Sequence, residues 1–547
     1  MMSVTWRHKA ESWSMSRTWW WVLFGVVPLL SGLTSLWFGQ DITWDLRNYH
    51  YYNPYAFLHD RMGYDIAPAQ LQSFFSPYLD IPFYLLMASF PAWVVSFTLG
   101  ALHGINFSIV FAITWRVVQG LVAYKRALLG LFCAGLGCFA PGFLLELGNT
   151  NHDNTLSVLV LTAVLLLVIA LQHVDAPNKR RAYLLVGLAG VVMGAAVGLK
   201  LTNLIFALGS AVGLFFMVPT WRGRFNVLLI YGCFGLATSL LIAGPWWWLM
   251  WERFGNPLLP FYNHIFESPA VAPVKHVRTS KLPTNWLEYL GWPLVFSDDV
   301  TRVGTGNRFR DVRFGVVWII ALVYLITALI RMIVGAAKRP EAGRRWFEDR
   351  AGTFLLVLFG AAFVVWMVRF SVYRYIIPLE LLVPLVLFIL IEKLGLPRRY
   401  QLGYGLIAVV LILALFRPSV PRFRSPDWSK PYFQVDTSFL SNPDSTSVVI
   451  LGGSPLSFVI PEFPPAVRFL RPEGNLHLRD DDGFMKEIKT TIAEHGGPLY
   501  VMYFGRERRI RLEKSANRYH INIDSTRCFP LKTNIPGQIK MCPATRR

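Results

Sequence analysis

Long apolar stretches dominate the pattern of this chain. Many of them run for about 18–22 residues, which is the length needed to cross roughly 30 Å of hydrocarbon. The pattern predicts an α-helical polytopic membrane protein with about eleven transmembrane helices. We place these spans near residues 19–38, 99–118, 127–143, 155–172, 183–199, 202–218, 226–247, 314–333, 352–368, 375–391 and 401–416.

The basic residues between the spans predict how the chain is oriented. The first span follows a short basic start and lacks a small-residue cleavage site, so it is expected to be a retained anchor, with residues 1–18 in the cytoplasm. Positively charged loops favour the cytoplasmic side. In the eleven-span arrangement five basic clusters fall on that side together: Lys125/Arg126, Lys179–Arg181, Arg222/Arg224, Lys338–Arg345 and Arg398/Arg399.

The segment from Asp80 to Phe90 is apolar, but we do not count it as a span. A further crossing there would put Arg116, Lys125 and Arg126 on the disfavoured side. Pro82 and Pro91 interrupt the apolar pattern. We therefore expect a helix that lies at the membrane interface.

Three sizeable segments are left on the far side of the membrane within this arrangement. They are the outer loops 39–90 and 248–313 and the tail 417–547. The transmembrane part therefore covers 19–416. The tail is less apolar and alternates strand-like runs (447–451, 499–504, 519–523, 539–542) with helix-like runs (482–494 and another that ends at 514), which predicts a small soluble α/β domain.

Composition agrees with a membrane location and argues against nucleic-acid binding. Hydrophobic residues make up 54% of the chain, charged residues 16%, and the mean hydropathy is +0.41. The net charge of +20 is spread between the spans and is expected to contact lipid headgroups. Among five cysteines, only Cys528 and Cys542 lie in a polar context, where an oxidising compartment would let them pair.

Candidate chemistry begins directly after the first span. Residues 40–55 contain Asp41 and Asp45, followed by a dense run of Tyr, His and Asn that includes Tyr49 and His50. Such side chains hydrogen-bond to and stack on sugars and polar headgroups. A carboxylate here could act as a general base toward an acceptor hydroxyl. Alternatively, Asp41 and Asp45 could cap a helix beside the membrane.

Further ionisable residues lie at other predicted outer ends of spans. Glu146, His152 and Asp153 are flanked by apolar sequence, where charge is costly and often marks function, although Asp153 could instead cap the fourth span. Lys200 lies between two spans and could bind a carrier phosphate or extend to lipid headgroups. Arg374 and Tyr375 lie in the turn between the ninth and tenth spans, where arginine could bind phosphate oxygens.

The order of these motifs resembles the GT-C superfamily of integral-membrane glycosyltransferases. Protein O-mannosyltransferases, aminoarabinose transferases of lipid A and lipopolysaccharide-core sugar transferases belong to it. The resemblance covers roughly residues 19–400, and the tail is outside it. The motifs are the loop acid with aromatics after the first span, Pro141 with the acid and histidine cluster beyond it, Gly198-Leu-Lys-Leu-Thr202, Pro245-Trp246 with Gly255–Asn263, and Arg374-Tyr-Ile-Ile-Pro378.

The resemblance implies transfer of a sugar from a polyprenyl-phosphate carrier to a lipid, glycan or protein acceptor at the outer face of the membrane. It implies a multi-pass protein of the plasma membrane, the inner membrane in bacteria, with the tail in the periplasm or outside the cell. The family's catalytic acid lies in the first outer loop, a position that Asp45 and Asp41 both offer, and we choose Asp45. Asp153 resembles the second acid, which positions the acceptor or an ion, and His152 could pair with a phosphate.

Metal use stays open, because many members carry an adjacent Asp-Glu pair that this chain lacks. Two acids and a histidine from separate loops could still hold a divalent cation. Two other functions are also open. A transporter would suit the spans with buried charge, but no paired repeat is visible. An O-antigen ligase or polymerase would use loop residues such as those between Arg308 and Arg313.

Overall fold

The computed structural model describes residues 16–274, 279–304, 309–333, 348–395, 397, 400, 403, 405, 407, 423–505 and 509–547. Eight helices within these residues are long and apolar enough to cross a membrane. They are α1 (Arg17–Trp37), α4 (Ala92–Val117), α7 (Asp153–Leu171), α8 (Arg180–Leu199), α10 (Trp221–Phe254), α13 (Arg313–Ile333), α14 (Asp349–Arg369) and Tyr373–Lys393, the last made of a 3-10 turn (Tyr373–Ile376) and α15 (Ile377–Lys393).

Shorter helices fill the segments between these spans. They are α2 (Tyr52–Leu58), α3 (Ile81–Ser89), α5 (Ala123–Cys138), α6 (Pro141–Leu145), α9 (Leu204–Met217), α11 (Asn263–Phe266) and α12 (Trp286–Asp298). The segment 80–90 forms a separate helix, α3, as expected, and its place at the membrane interface stays a prediction. Helix α12 was not expected, because the sequence predicted only a loop over 248–313.

Two of the predicted span boundaries were wrong. The span at 127–143 breaks after Cys138, because Ala140 precedes Pro141 and adopts the extended conformation that a following proline favours. The span at 226–247 continues as α10 to Phe254, with Pro245 inside it. The count of eleven is not confirmed, since α5 and α9 are short and the predicted span 401–416 lies largely outside the described residues.

Close helix contacts depend on small residues. A Cβ on Gly104 of α4 would clash with Ser31 of α1 at 2.5 Å, and one on Gly190 of α8 would clash with the backbone oxygen of Tyr231 in α10 at 2.6 Å. Helices in a membrane associate through packing of this kind, because lipid offers no hydrophobic driving force between them. These contacts fix the frame from which the outer segments project.

The tail forms the predicted α/β unit. Its sheet has the strand order β4-β3-β5-β8-β6, with β7 beside β8 and with β3 parallel to both β4 and β5. The elements are β3 (Ser447–Ile450), β4 (Arg468–Leu470), α16 (Gly483–Glu494), β5 (Leu499–Phe504), α17 (Arg509–Arg518), β6 (Ile521–Ile523), β7 (Phe529–Pro530) and β8 (Ile539–Arg546). A disulfide joins Cys528 to Cys542.

The tail packs directly on the first outer segment. Strand β1 (Gln40–Asp41), just after α1, pairs with β2 (Arg424–Ser425) at the start of the tail. Ile66 then bridges to Leu470 in β4, and one apolar core contains residues of both regions. The buried guanidinium of Arg471 donates to carbonyl oxygens on both sides of this contact, including that of Pro68 at 2.9 Å. The tail therefore helps to shape the segment that carries the candidate acids.

Candidate active site

Four separate segments bring charged side chains together at one end of the helical bundle. Asp45 comes from the first outer segment and Asp153 from the start of α7. Lys200 lies between α8 and α9, and Arg374 lies in the 3-10 turn before α15. The Lys200 ammonium is 2.5 Å from Asp153, and the Arg374 Nε is 3.5 Å from the same carboxylate. Arg374 also forms an ion pair with Asp45. We call these four residues the charge cluster.

The charge cluster is balanced and partly open to solvent. The side chains of Asp45, Lys200 and Arg374 are 16%, 22% and 29% exposed, so an incoming molecule can reach all three. The Tyr375 ring lies near both cations, 5.3 Å from the Lys200 Nζ and 5.6 Å from the Arg374 guanidinium carbon. Both distances suit cation–π attraction. The cluster therefore offers two cations and a base around one aromatic surface.

Asp45 is held in its ionised form. Burial alone would raise the pKa of its carboxyl group, but the positive charge of Arg374 and the hydrogen bond that Arg374 donates outweigh that effect and keep the pKa below its usual value. An ionised carboxylate is the form that can accept a proton.

Asp41 is engaged differently from Asp45. Its carboxylate accepts hydrogen bonds from the Thr43 amide at 2.8 Å and from the Thr150 amide and hydroxyl at 2.9 Å each. Its exposed fraction is only 1%. These bonds tie the first outer segment to the turn that precedes Asp153, which is a task of positioning. The sequence pattern alone did not separate the two acids.

A second group of titratable residues lies beside the charge cluster. Asp80 Oδ1 is 2.6 Å from His50 Nδ1 and 2.6 Å from His152 Nε2, and all three side chains are buried. Burial raises the pKa of Asp80 to about 6 and lowers the pKa of His50 to about 3 and that of His152 to about 4. Both imidazoles are therefore neutral near pH 7, which is the form that ligates metals. The Tyr49 ring contacts that of His50, with centroids 4.0 Å apart and a tilt of 39° between the planes.

This His50–Asp80–His152 triad has the donors of a divalent-cation site. Two imidazole nitrogens and a carboxylate oxygen lie within 4.8 Å of one another. The same donor set holds zinc and other first-row metals in proteins. The sequence motifs pointed to both histidines but not to Asp80, which appeared only as the first residue of the apolar segment 80–90. Here the Asp80 side chain makes no capping bond to α3.

Glu146 lies behind the charge cluster. Burial, with a contribution from the nearby charge of Asp153, raises the pKa of its carboxyl group to about 8. Its hydrogen bond comes from the Asn151 amide nitrogen at 3.4 Å. The turn between these residues ends at His152, which has a left-handed backbone with φ of 68°. Such a conformation is uncommon for histidine and is often found at functional sites.

The structure thus groups the predicted residues in three places. Asp45, Asp153, Lys200 and Arg374 form the charge cluster, and the Tyr375 ring lies beside its two cations. His50 and His152 belong to the neighbouring triad with Asp80, and Tyr49 lies beside His50. Asp41 and Glu146 support the turn beneath them. Among the loop residues of the ligase alternative, Arg308 lies outside the described residues, and Arg313 is only 1% exposed.

Comparison with known proteins gives a fold. No protein-family profile matches the chain, and no curated protein matches it. The crystal structure of ArnT from Cupriavidus metallidurans in the apo state is similar over 96% of this chain and 98% of that chain, with a TM-score of 0.53 and 14% sequence identity. The crystal structure of the same ArnT bound to undecaprenyl phosphate gives a TM-score of 0.44 at 13% identity.

The similarity extends further than the sequence motifs indicated. Those motifs stop near residue 400, so the expectation that the tail lies outside the shared fold was wrong: an overlap of 96% of the chain includes it. Strand and helix order in the tail carried no motif that could have revealed this. The chain therefore has the fold of this ArnT structure.

Proposed function

We propose that the protein is a glycosyltransferase that moves a sugar from a polyprenyl-phosphate carrier to a hydroxyl group on a glycan, lipid or protein acceptor. The observation that carries this proposal is the charge cluster, in which a solvent-accessible ionised acid lies against two accessible cations on an ArnT-like fold. The undecaprenyl phosphate named with one ArnT structure supports a polyprenyl phosphate as the donor's carrier.

The proposed reaction assigns a task to each charged group. The acceptor oxygen attacks the anomeric carbon and forms a new C–O bond, while the bond between that carbon and the carrier phosphate oxygen breaks. Asp45 takes the proton from the acceptor hydroxyl, a form of assistance worth about 10²–10⁴-fold. The phosphate leaves with the electron pair, and Arg374 and Lys200 stabilise its growing negative charge. Asp153 orients both cations through its two ion pairs.

The surroundings of Arg313 and Arg310 weigh against the ligase or polymerase alternative. Arg313 is sealed in an ion pair with Asp311 at 2.7 Å, and Arg310 faces Asp298 at 3.8 Å. Both arginines are therefore engaged with carboxylates, and neither belongs to the charge cluster. A transporter is less favoured by the similarity to ArnT along almost the whole chain.

We propose that the charge cluster and the tail face away from the cytoplasm, as in a protein of the bacterial inner membrane with a cytoplasmic N-terminus. The distribution of basic clusters supports this orientation. The disulfide between Cys528 and Cys542 supports it independently, because such bonds persist in oxidising compartments.

We further propose that the His50–Asp80–His152 triad holds a divalent cation. Its donor set and its burial fit such an ion. A bound cation would supply positive charge beside the first outer segment and so favour an anionic donor. The steps assigned to Asp45, Arg374 and Lys200 do not depend on it.

The catalytic assignment is tested with Asp45→Asn in membranes supplied with polyprenyl-phosphate sugars. We expect transfer to fall about 10²–10⁴-fold, since the amide cannot accept the proton, while the amount of folded protein is unchanged. Asp60→Asn is the matched control, because the Asp60 side chain is 86% exposed and should leave transfer intact. Full transfer by Asp45→Asn would show that another group is the base.

The role of Arg374 in keeping Asp45 ionised predicts a change in pH dependence. In Arg374→Gln the largest effect that opposes burial is lost, so the pKa of Asp45 rises and the base becomes protonated at higher pH. The acid limb of the normalised rate profile should therefore move toward neutral pH. Lys200→Gln is the comparison, because Lys200 contributes less to the pKa of Asp45 and should move the limb less. An unmoved limb in Arg374→Gln would contradict the assignment of Asp45 as the base.

Cation binding is tested by metal analysis of purified protein equilibrated with Zn²⁺, Mn²⁺ or Mg²⁺. We expect about one ion per chain for the preferred metal. Asp80→Asn and His152→Asn should each weaken binding roughly 100-fold or more, whereas the exposed His59→Asn should not. Equal metal content in all four proteins would remove the triad as the site.

Orientation is tested with reporter fusions and thiol labelling in intact cells. Alkaline phosphatase fused after residue 547 should be active, and the same enzyme inserted in the loop at 119–122, between Arg116 and Lys125/Arg126, should be inactive. Cys528 and Cys542 should resist alkylation until a reductant is added. The opposite pattern of reporter activity would place the charge cluster in the cytoplasm and overturn the proposed site of transfer.

A further inference from the structure

A second ionic group lies behind the charge cluster and is sealed from solvent. It consists of Asp311, Arg313, Tyr373 and Glu380, which are 2%, 1%, 1% and 0% exposed. We call it the sealed network. At these exposures none of its members can touch a substrate, so any part it plays in transfer must act through other residues.

Hydrogen bonds and ion pairs connect all four members. Arg313 pairs with Asp311 at 2.7 Å and with Glu380 at 3.0 Å. The Tyr373 hydroxyl lies 2.5 Å from Asp311 and 2.7 Å from Glu380. Because this hydroxyl has one proton, it donates to one carboxylate at a time. The network joins the segment before α13 to the turn before α15.

Glu380 also fixes the start of α6. Its carboxylate accepts from the Gly142 amide at 3.0 Å and from the Phe143 amide at 3.1 Å. A Cβ on Gly142 would lie 2.7 Å from the Glu380 Oε2, so the backbone approaches the carboxylate closely only because glycine stands there. Helix α6 then leads directly into the segment that carries Glu146 and Asp153.

The other end of the network adjoins the phosphate-binding arginine. Tyr373 is the residue before Arg374 in the same 3-10 turn, and its ring packs against Phe309 with centroids 5.0 Å apart. Thus one carboxylate, Glu380, is bonded both to the turn that carries Arg374 and to the helix that leads to Asp153. These are two of the segments that meet in the charge cluster.

Stability alone gives little reason to keep such a network. Buried ion pairs lose much of their attraction to desolvation, and apolar residues of the same volume are often equally stable or more so. Charge inside a membrane protein is more expensive still and tends to be functional. What a network of directional bonds supplies, and apolar packing does not, is one fixed arrangement of the elements it joins.

We propose that Glu380 and Tyr373 are positioning residues that set where the Arg374 guanidinium lies relative to Asp45 and Asp153. This inference rests on the proposed function. It assigns to the sealed network the task of fixing how Arg374 contacts the carrier phosphate. A misplacement of about 1 Å can cost as much as 10²-fold in rate. Small changes within the network should therefore reduce transfer even though no member meets the substrate.

The test is a double-mutant cycle between Tyr373→Phe and Arg374→Lys, measured as kcat/KM for transfer and as binding of a polyprenyl phosphate. Tyr373→Phe keeps the packed ring and removes only the hydroxyl. Arg374→Lys keeps the charge but loses the planar fork whose aim the network would control. We expect Tyr373→Phe to cost about tenfold in the presence of Arg374 and less than about threefold in the Arg374→Lys background.

Tyr52→Phe is the matched control. It removes a comparable buried bond, from the Tyr52 hydroxyl to Asp65 at 2.9 Å, at a place that does not touch the turn of Arg374. It should act equally in both backgrounds. Glu380→Gln is the second variant and should lower transfer more than Tyr373→Phe does, with the same dependence on Arg374.

The outcomes distinguish a failure of the positioning role from a failure of the proposed function. If Tyr373→Phe lowers kcat/KM equally with arginine and with lysine at position 374, the sealed network has a purely structural role. Transfer by the unaltered protein would still leave the proposed function standing. Absence of both transfer and polyprenyl-phosphate binding in the unaltered protein would instead overturn the proposed function, and the positioning role with it.

Discussion

The pairing of two acids with two cations where four segments meet is the constraint on which the rest of the structure depends. An unpaired buried charge would be costly, so Asp45, Asp153, Lys200 and Arg374 must pair for the segments to pack together. The same pairing buries Asp153 and leaves Asp45, Lys200 and Arg374 partly exposed. A site built in this way is stable without a ligand and still has charges to offer when an anionic molecule arrives.

Much of the fold was predictable from the sequence because membrane spans are long and repetitive signals. The predicted helices at 183–199 and 202–218 correspond closely to α8 and α9, and the strand at 499–504 was placed correctly. The predicted elements were wrong where a local conformational preference outweighed the length of an apolar run. Ala140 and Pro141 end a helix inside an apolar run, and α12 forms in a loop whose apolar residues are shared between two faces.

The site was predictable only in part, because the order of residues does not show which side chains are buried or which hydrogen-bond partners they have. The sequence singled out Asp45 as a loop acid and Lys200 and Arg374 as cations next to predicted spans, and the structure brings the three together around Asp153. It could not show that Asp41 is occupied by Thr150, nor that Asp80 faces two histidines from other segments. Asp80 and Glu380 both resemble ordinary residues at the start of a helix. Their importance lies in contacts more than 70 positions away along the chain.

The two ionic groups differ in a way that divides their tasks. The charge cluster is 16–29% exposed at Asp45, Lys200 and Arg374, so under the proposed function its ion pairs can exchange when a phosphate group binds to Arg374. The sealed network around Glu380 is at most 2% exposed and has no such freedom. For the proposed transfer, this exchange is useful only if the side chains return to the same positions afterwards. Charged groups stabilise a bound phosphate best when no free energy is needed to arrange them first. The charge cluster supplies groups that can exchange partners, and the sealed network holds them in a fixed arrangement. The two are connected where Tyr373 precedes Arg374 in the same 3-10 turn.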